Sequence, residues 1–135
     1  MIVLDTDAVS NLMRPRPSPE FAQRIERLPV SERTTTAITI GELAYGAARA
    51  GRPQLYFRAK EVLEGTRILS FDEAAAELYA NIRAHLERAG TRLDEPDLRI
   101  AATVLAHGAT LITGNVRHFQ RVPGLAVENW LEASA

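Results

Sequence analysis

The 135-residue sequence contains no cysteine. That removes disulfides, thiolate metal sites and cysteine nucleophiles together. Lysine is almost absent too: fifteen of the sixteen basic residues are arginine, and Lys60 is the single exception. Aspartate is scarce, with five residues against twelve glutamates, and aromatic residues make up only 6%. No apolar run approaches the length that crosses a bilayer. The opening Met1-Ile2-Val3-Leu4-Asp5 reaches an acid too soon for a secretory leader, so a cytoplasmic protein is expected. Sixteen basic against seventeen acidic residues leave a formal charge of −1, which argues against a broadly basic surface wrapped on nucleic acid. Walker A, dinucleotide-binding glycine, Gly-x-Ser-x-Gly and His-Glu-x-x-His patterns are all missing.

What remains is globular composition, 46% hydrophobic and 24% charged, in a length suited to one domain over 1–135. Ile2-Val3-Leu4 is a short apolar run suited to a strand buried on both faces. Ala8, Val9, Leu12 and Met13 share a helical face that Pro15 ends, and Ser18-Pro19-Glu20 is a helix start signal. The β-branched run from Thr34 to Ile38 predicts a second strand, followed by a helix from about Ile40 to Ala50 that stops at Gly51. A helix from Pro53 stops at Gly65, and Arg67-Ile68-Leu69 predicts a third strand. The longest helix carries Ala75, Leu78, Ile82, Leu86 and Ala89 and closes at Gly90; another runs from Pro96 to His107-Gly108. Ala109 to Thr113 predicts a fourth strand and Leu125 to Val127 a fifth, with a last turn around Trp130. Strands alternating with helices imply an α/β fold with a mostly parallel sheet of four or five strands covered on both faces.

In such sheets ligands bind beyond the carboxyl ends of the strands. Function is therefore sought after Leu4, Ile38, Leu69 and Ile112. Those places offer Asp5-Thr6-Asp7, then Thr39-Ile40-Gly41-Glu42, then Thr113-Gly114-Asn115, while Asp97 opens the helix before strand four. Asp5, Glu42 and Asp97 can thus converge from distant parts of the chain. Clustered carboxylates call for a cation, and oxygen-only ligation suits Mg²⁺ or Mn²⁺. Each of these candidates except one also has a purely structural reading. Glu42 fits a capping box, Asp97 complements a helix dipole, Asp7 fits an N-cap and Asn115 a turn. Asp5, at the end of a buried strand, has no such alternative, because an unpaired buried charge is costly. Among the arginines in or near loops, Arg14 and Arg117 are candidates for phosphate contact through the guanidinium fork. Thr6 and Thr113 are the supporting polar residues. His85 and His107 read as structural, His118 as a turn residue beside the site, and Trp130 as core.

The segments Met1-Ile2-Val3-Leu4-Asp5-Thr6, Thr39 through Gly46, Pro96 through Ala102 and Leu111 through Phe119 together resemble the PIN domain. More narrowly they resemble the VapC toxins of bacterial type II toxin–antitoxin systems, and Pro123-Gly124-Leu125 with Glu128-Asn129-Trp130 fits that group. The resemblance implies a three-layer αβα sandwich and a metal-dependent endoribonuclease. It implies Asp5 and Asp97 as direct Mg²⁺ ligands, with Glu42 binding the metal directly or through water and positioning the attacking water. Many PIN nucleases have a fourth acid near the end of the fourth strand, where this chain offers Asn115 and His118. The resemblance further implies an RNA substrate, a homodimer, and a cognate antitoxin whose C-terminal segment covers the cleft.

Two other readings compete. Asp5-Thr6-Asp7 after an apolar strand is similar to the Asp-x-Asp motif of haloacid-dehalogenase-type phosphatases, with Asp5 as nucleophile. Those enzymes also need a lysine and a later acidic pair; Lys60 falls mid-helix and Thr113-Gly114-Asn115 supplies no such pair. The missing fourth acid motivates the other reading, a catalytically weak PIN module that acts by binding a partner.

Overall fold

The computed structural model describes residues 1–132. Five strands, β1 (Ile2–Leu4), β2 (Arg33–Thr36), β3 (Arg67–Leu69), β4 (Thr110–Ile112) and β5 (Ala126–Glu128), form one sheet in the order β3-β2-β1-β4-β5. Every pairing is parallel. Helices fill the crossovers: α1 (Thr6–Met13), α2 (Pro19–Arg27), α3 (Ala37–Ala50), α4 (Pro53–Val62), α5 (Glu73–Arg88), α6 (Glu95–Ala106) and the short α7 (Val116–Phe119). A 3₁₀ turn at Val30–Glu32 precedes β2.

The strand pleat explains why the sheet has two cores. Successive residues point to opposite faces, so Val3 and Leu111 pack with α5 and α6 while Leu4 and Ile112 pack with α1, α2 and α4. The first core is closed by Ile82, Leu86, Leu98 and Ile100, the second by Val9, Phe21, Ile25 and Leu63. Trp130 is buried in the second core, as its sequence reading held, with the Arg24 guanidinium 3.7 Å above its ring. The αβα sandwich is therefore the observed architecture.

The interior strand β2 is mostly threonine, and all three, Thr34, Thr35 and Thr36, are fully buried. Their hydroxyls are satisfied locally. Thr34 donates to the Ile2 carbonyl, and Thr35 donates to the Leu4 carbonyl at 2.7 Å. The Thr36 hydroxyl accepts the Thr39 N–H at 3.0 Å and caps α3.

This cap corrects the expected boundary. The strand ends at Thr36, not Ile38, and the helix begins at Ala37, three residues earlier than its expected start. Threonine and isoleucine favour strand by propensity, but a capping hydroxyl and the packing of Ile38 on the first core outweigh it. After β5 the chain bends over 131–132, next to the turn expected around Trp130, and the Asn129 side chain accepts the Leu131 N–H at 2.9 Å. The short α7 was not anticipated, since four residues carry no periodic signal.

Candidate functional site

The strand order reverses between β1 and β4, the place where an open parallel sheet leaves a crevice at its carboxyl edge. Asp5 stands at that edge. Its N–H continues the ladder to the Ile112 carbonyl at 3.1 Å, and its side chain turns back to accept the Ala8 N–H at 2.8 Å. Asp5 is thus the N-cap of α1, the role the sequence had offered to Asp7, and the buried carboxylate does have a structural use. Capping does not offset burial. With 4% of its surface exposed, Asp5 is pushed up to about 7, first by desolvation and further by the charges of Asp7 and Asp97. The Thr113 hydroxyl and the Ala8 N–H pull in the opposite direction.

Asp97 is the third residue of α6 and half-buried. It is pushed up to about 6, chiefly by desolvation, then by the charges of Glu42 and Asp94, while His118 favours its ionised form. Glu42 lies in the second turn of α3, beyond the capped first turn, so the capping-box reading does not hold. Its Oε1 instead accepts the Thr6 hydroxyl at 2.5 Å. The polar residue after the first acid therefore ties β1's exit to α3.

The turn after β4 completes the edge. The Thr113 N–H donates to the Glu128 carbonyl at 3.1 Å, and the Thr113 hydroxyl, next to Asp5, accepts the Asn115 N–H at 3.0 Å. Asn115 opens α7 with a side chain that makes no capping bond. The result is an open cleft of about 520 Å³ lined by Asp5, Thr6, Glu42, Asp97 and Asn115, with Asp7, Ser10, Gly114 and Phe119.

The other sequence candidates fall differently. Arg14 and Arg117 are both exposed and outside the cleft lining. Arg14 follows the C-terminal end of the eight-residue α1, whose length of about 12 Å separates it from Asp5. The end of β3 contributes nothing to the lining either. His107 bonds the Thr103 carbonyl at 3.0 Å, a structural role as expected. Ser10 was missed although it follows Thr6 by four residues on one helical face, a spacing that could have revealed it. Asp7, which the sequence places at this strand end with an N-cap as its alternative reading, lines the cleft and does not cap α1.

The donor set in this cleft is entirely oxygen, and two of its acids, Asp5 and Asp97, are driven toward protonation by burial and by neighbouring carboxylates. A divalent cation relieves both effects, so the residues fit one. Among the described residues no three acids draw together into a ready-made cage. An ion that keeps several waters suits that arrangement.

Comparison with known proteins agrees with the geometry. The sequence pattern of the PIN domain matches residues 2–125. The chain is 32% identical over 133 residues to Ribonuclease VapC2 of Haemophilus influenzae, covering 96% of this chain and 97% of the relative. It is 34% identical to the tRNA(fMet)-specific endonuclease VapC of Salmonella typhimurium, covering 83% of this chain and 86% of that protein. The fold superimposes on a chain of VapBC-1 from nontypeable Haemophilus influenzae with a TM-score of 0.85, at 31% identity and over 98% of this chain and 100% of the other. DNA-bound VapBC from Salmonella typhimurium gives a TM-score of 0.85 at 31% identity, over 96% of this chain and 97% of that one. The chain belongs to the PIN-domain family, among its VapC members.

Proposed function

We propose that this chain, as a single nuclease domain over 1–135, is an endoribonuclease and the toxin of a type II toxin–antitoxin pair. One observation carries the reading: Asp5, Glu42 and Asp97, from three distant segments, line one cleft at the switch point of a parallel sheet. Ribonuclease names among near full-length relatives support it.

Asp5 and Asp97 would hold a divalent cation, with Glu42 binding it directly or through water. Mg²⁺ or Mn²⁺ matches the all-oxygen donors. Such an ion stabilises charge on a phosphoryl group and lowers the pKa of a bound water. The chain's own residues supply position. Thr6 fixes one oxygen of Glu42, which orients that carboxylate as a base or water-holding group. Asn115 brings an uncharged amide, free of capping, to hydrogen-bond the phosphodiester or the attacking water. The Thr113 hydroxyl beside Asp5 favours its ionised form. The phosphatase alternative lacks its lysine, because Lys60 is exposed on α4 and outside the cleft lining.

The structural neighbours include several toxin–antitoxin complexes, which supports an antitoxin partner here; we place its C-terminal segment over the cleft and take the active species as a homodimer. The test uses purified protein freed of antitoxin. It should cleave RNA with Mg²⁺ or Mn²⁺ and stop with EDTA, and Asp5→Asn or Asp97→Asn should abolish cleavage. Cleavage retained in either variant defeats the site assignment. A wild-type protein that binds neither metal nor RNA favours the partner-binding module instead.

A further inference from the structure

Asp7 lies in the cleft but has no part in the mechanism above. Its carboxylate reaches across to β4's exit turn, where Oδ2 accepts the Gly114 N–H at 3.2 Å. The fit is close: a Cβ on Gly114 would stand 2.4 Å from that oxygen and 3.3 Å from Leu131 Cδ2. Gly114 is not among the glycines with positive φ, so its lack of a side chain serves space and not backbone freedom.

The first three residues after β1 grip two other segments, the β4 exit turn and α3. The Asp5 carboxyl meets the Thr113 hydroxyl, Thr6 bonds Glu42, and Asp7 bonds Gly114. Asn115 follows directly, exposed, with its own N–H held by Thr113. Asn115 also has its carbonyl held by the His118 and Phe119 N–H groups of α7, so the Asp7 contact is what links this turn to α1.

We infer that Asp7 is a positioning residue, clasping Gly114 so that Asn115 is held in the lining of the cleft with Asp5 and Asp97. This rests on the nuclease reading of the site. The clasp works through a hydrogen-bond acceptor, so asparagine at this position can keep it while alanine cannot.

Four proteins test the inference beside wild type: Asp7→Ala, Asp7→Asn, Gly114→Ala and the Asp7→Ala/Gly114→Ala double variant. Each is assayed on a mixed-sequence single-stranded RNA oligonucleotide with Mn²⁺, and amide exchange is followed at Gly114 and Asn115. Asp7→Ala should lower kcat by about 10–100-fold with KM little changed, as displaced supporting groups do. Exchange at Gly114 should quicken in the same variant, and Asp7→Asn should restore both readouts. Gly114→Ala should be as impaired as Asp7→Ala, yet add little in the double variant, because the oxygen it collides with is gone. Full kcat in Asp7→Ala, equal damage in Asp7→Asn, or multiplying effects in the double variant overturns the inference. A wild type that cuts no RNA overturns the nuclease reading instead, and unchanged Gly114 exchange in Asp7→Ala then disproves the clasp by itself.

Discussion

Replacing Asp5 with asparagine separates the two roles of this side chain. Asparagine caps a helix as well as aspartate does, so the Ala8 N–H keeps its acceptor and α1 keeps its start. What is lost is a carboxyl that titrates at about 7 in the folded chain against an ordinary value of 3.8, chiefly because it is buried. Between those two pH values the folded chain binds more protons at this site than the unfolded chain. Stability from this group is therefore full below about pH 4, falls as pH climbs, and levels above about 7. Once both states are ionised, the cost amounts to about 4 kcal/mol, reduced by whatever water screens in an open cleft. In urea unfolding with EDTA present, Asp5→Asn should match wild type at pH 4 and exceed it by about 2–4 kcal/mol at pH 8. RNA cleavage should be absent from the more stable protein. The same margin over wild type at both pH values would refute the reasoning, as would an asparagine variant weaker than wild type at pH 8.

Further outcomes follow from the same geometry. Mn²⁺ should raise the wild-type melting temperature more at pH 8 than at pH 5, since protons on Asp5 and Asp97 compete with the ion, and Asp5→Asn should remove most of that shift in a thermal melt. Thr6→Val keeps the side-chain shape but frees Glu42; cleavage should fall by about 10–100-fold with little change in melting temperature. Thr36→Ala removes the α3 cap and should cost about 1 kcal/mol in chemical denaturation. Ile100→Ala, from a fully buried position on the helix that carries Asp97, should cost about 2–5 kcal/mol in the same measurement.

Much of this fold was legible in the sequence because its punctuation is strong. Gly51, Gly65, Gly90 and Gly108 all adopt positive φ at or just beyond the helix ends expected from them, and Pro53 and Pro96 lie in the first helical turns. The apolar strands were visible as short runs between those signals. The β2–α3 junction was not, because a threonine-rich strand and a threonine cap look alike until packing decides which residue turns. The acids of the site were readable from their places after strands, with Asp97 in the first turn of its helix. Their secondary ties were not readable: the Asp5 cap, the Thr6–Glu42 bond and the Asp7–Gly114 clasp depend on side-chain directions that spacing does not give. Arg14 and Arg117 are candidates as arginines in or near loops with a guanidinium fork that suits phosphate, but the length of α1 and the exposed side of α7 keep them outside the cleft lining. The near-neutral charge proved a weak guide, since it averages an acidic cleft with arginines elsewhere on the chain.

The central claim is that carboxylates at the switch point of this sheet cut RNA. Its most direct test is induced expression in bacterial cells of wild type beside Asp5→Asn, with growth followed and RNA ends mapped. Wild type should arrest growth and generate new RNA ends at defined positions, while the asparagine variant, equally abundant and at least as stable, should do neither. Arrest and the same new ends in both strains would contradict the account.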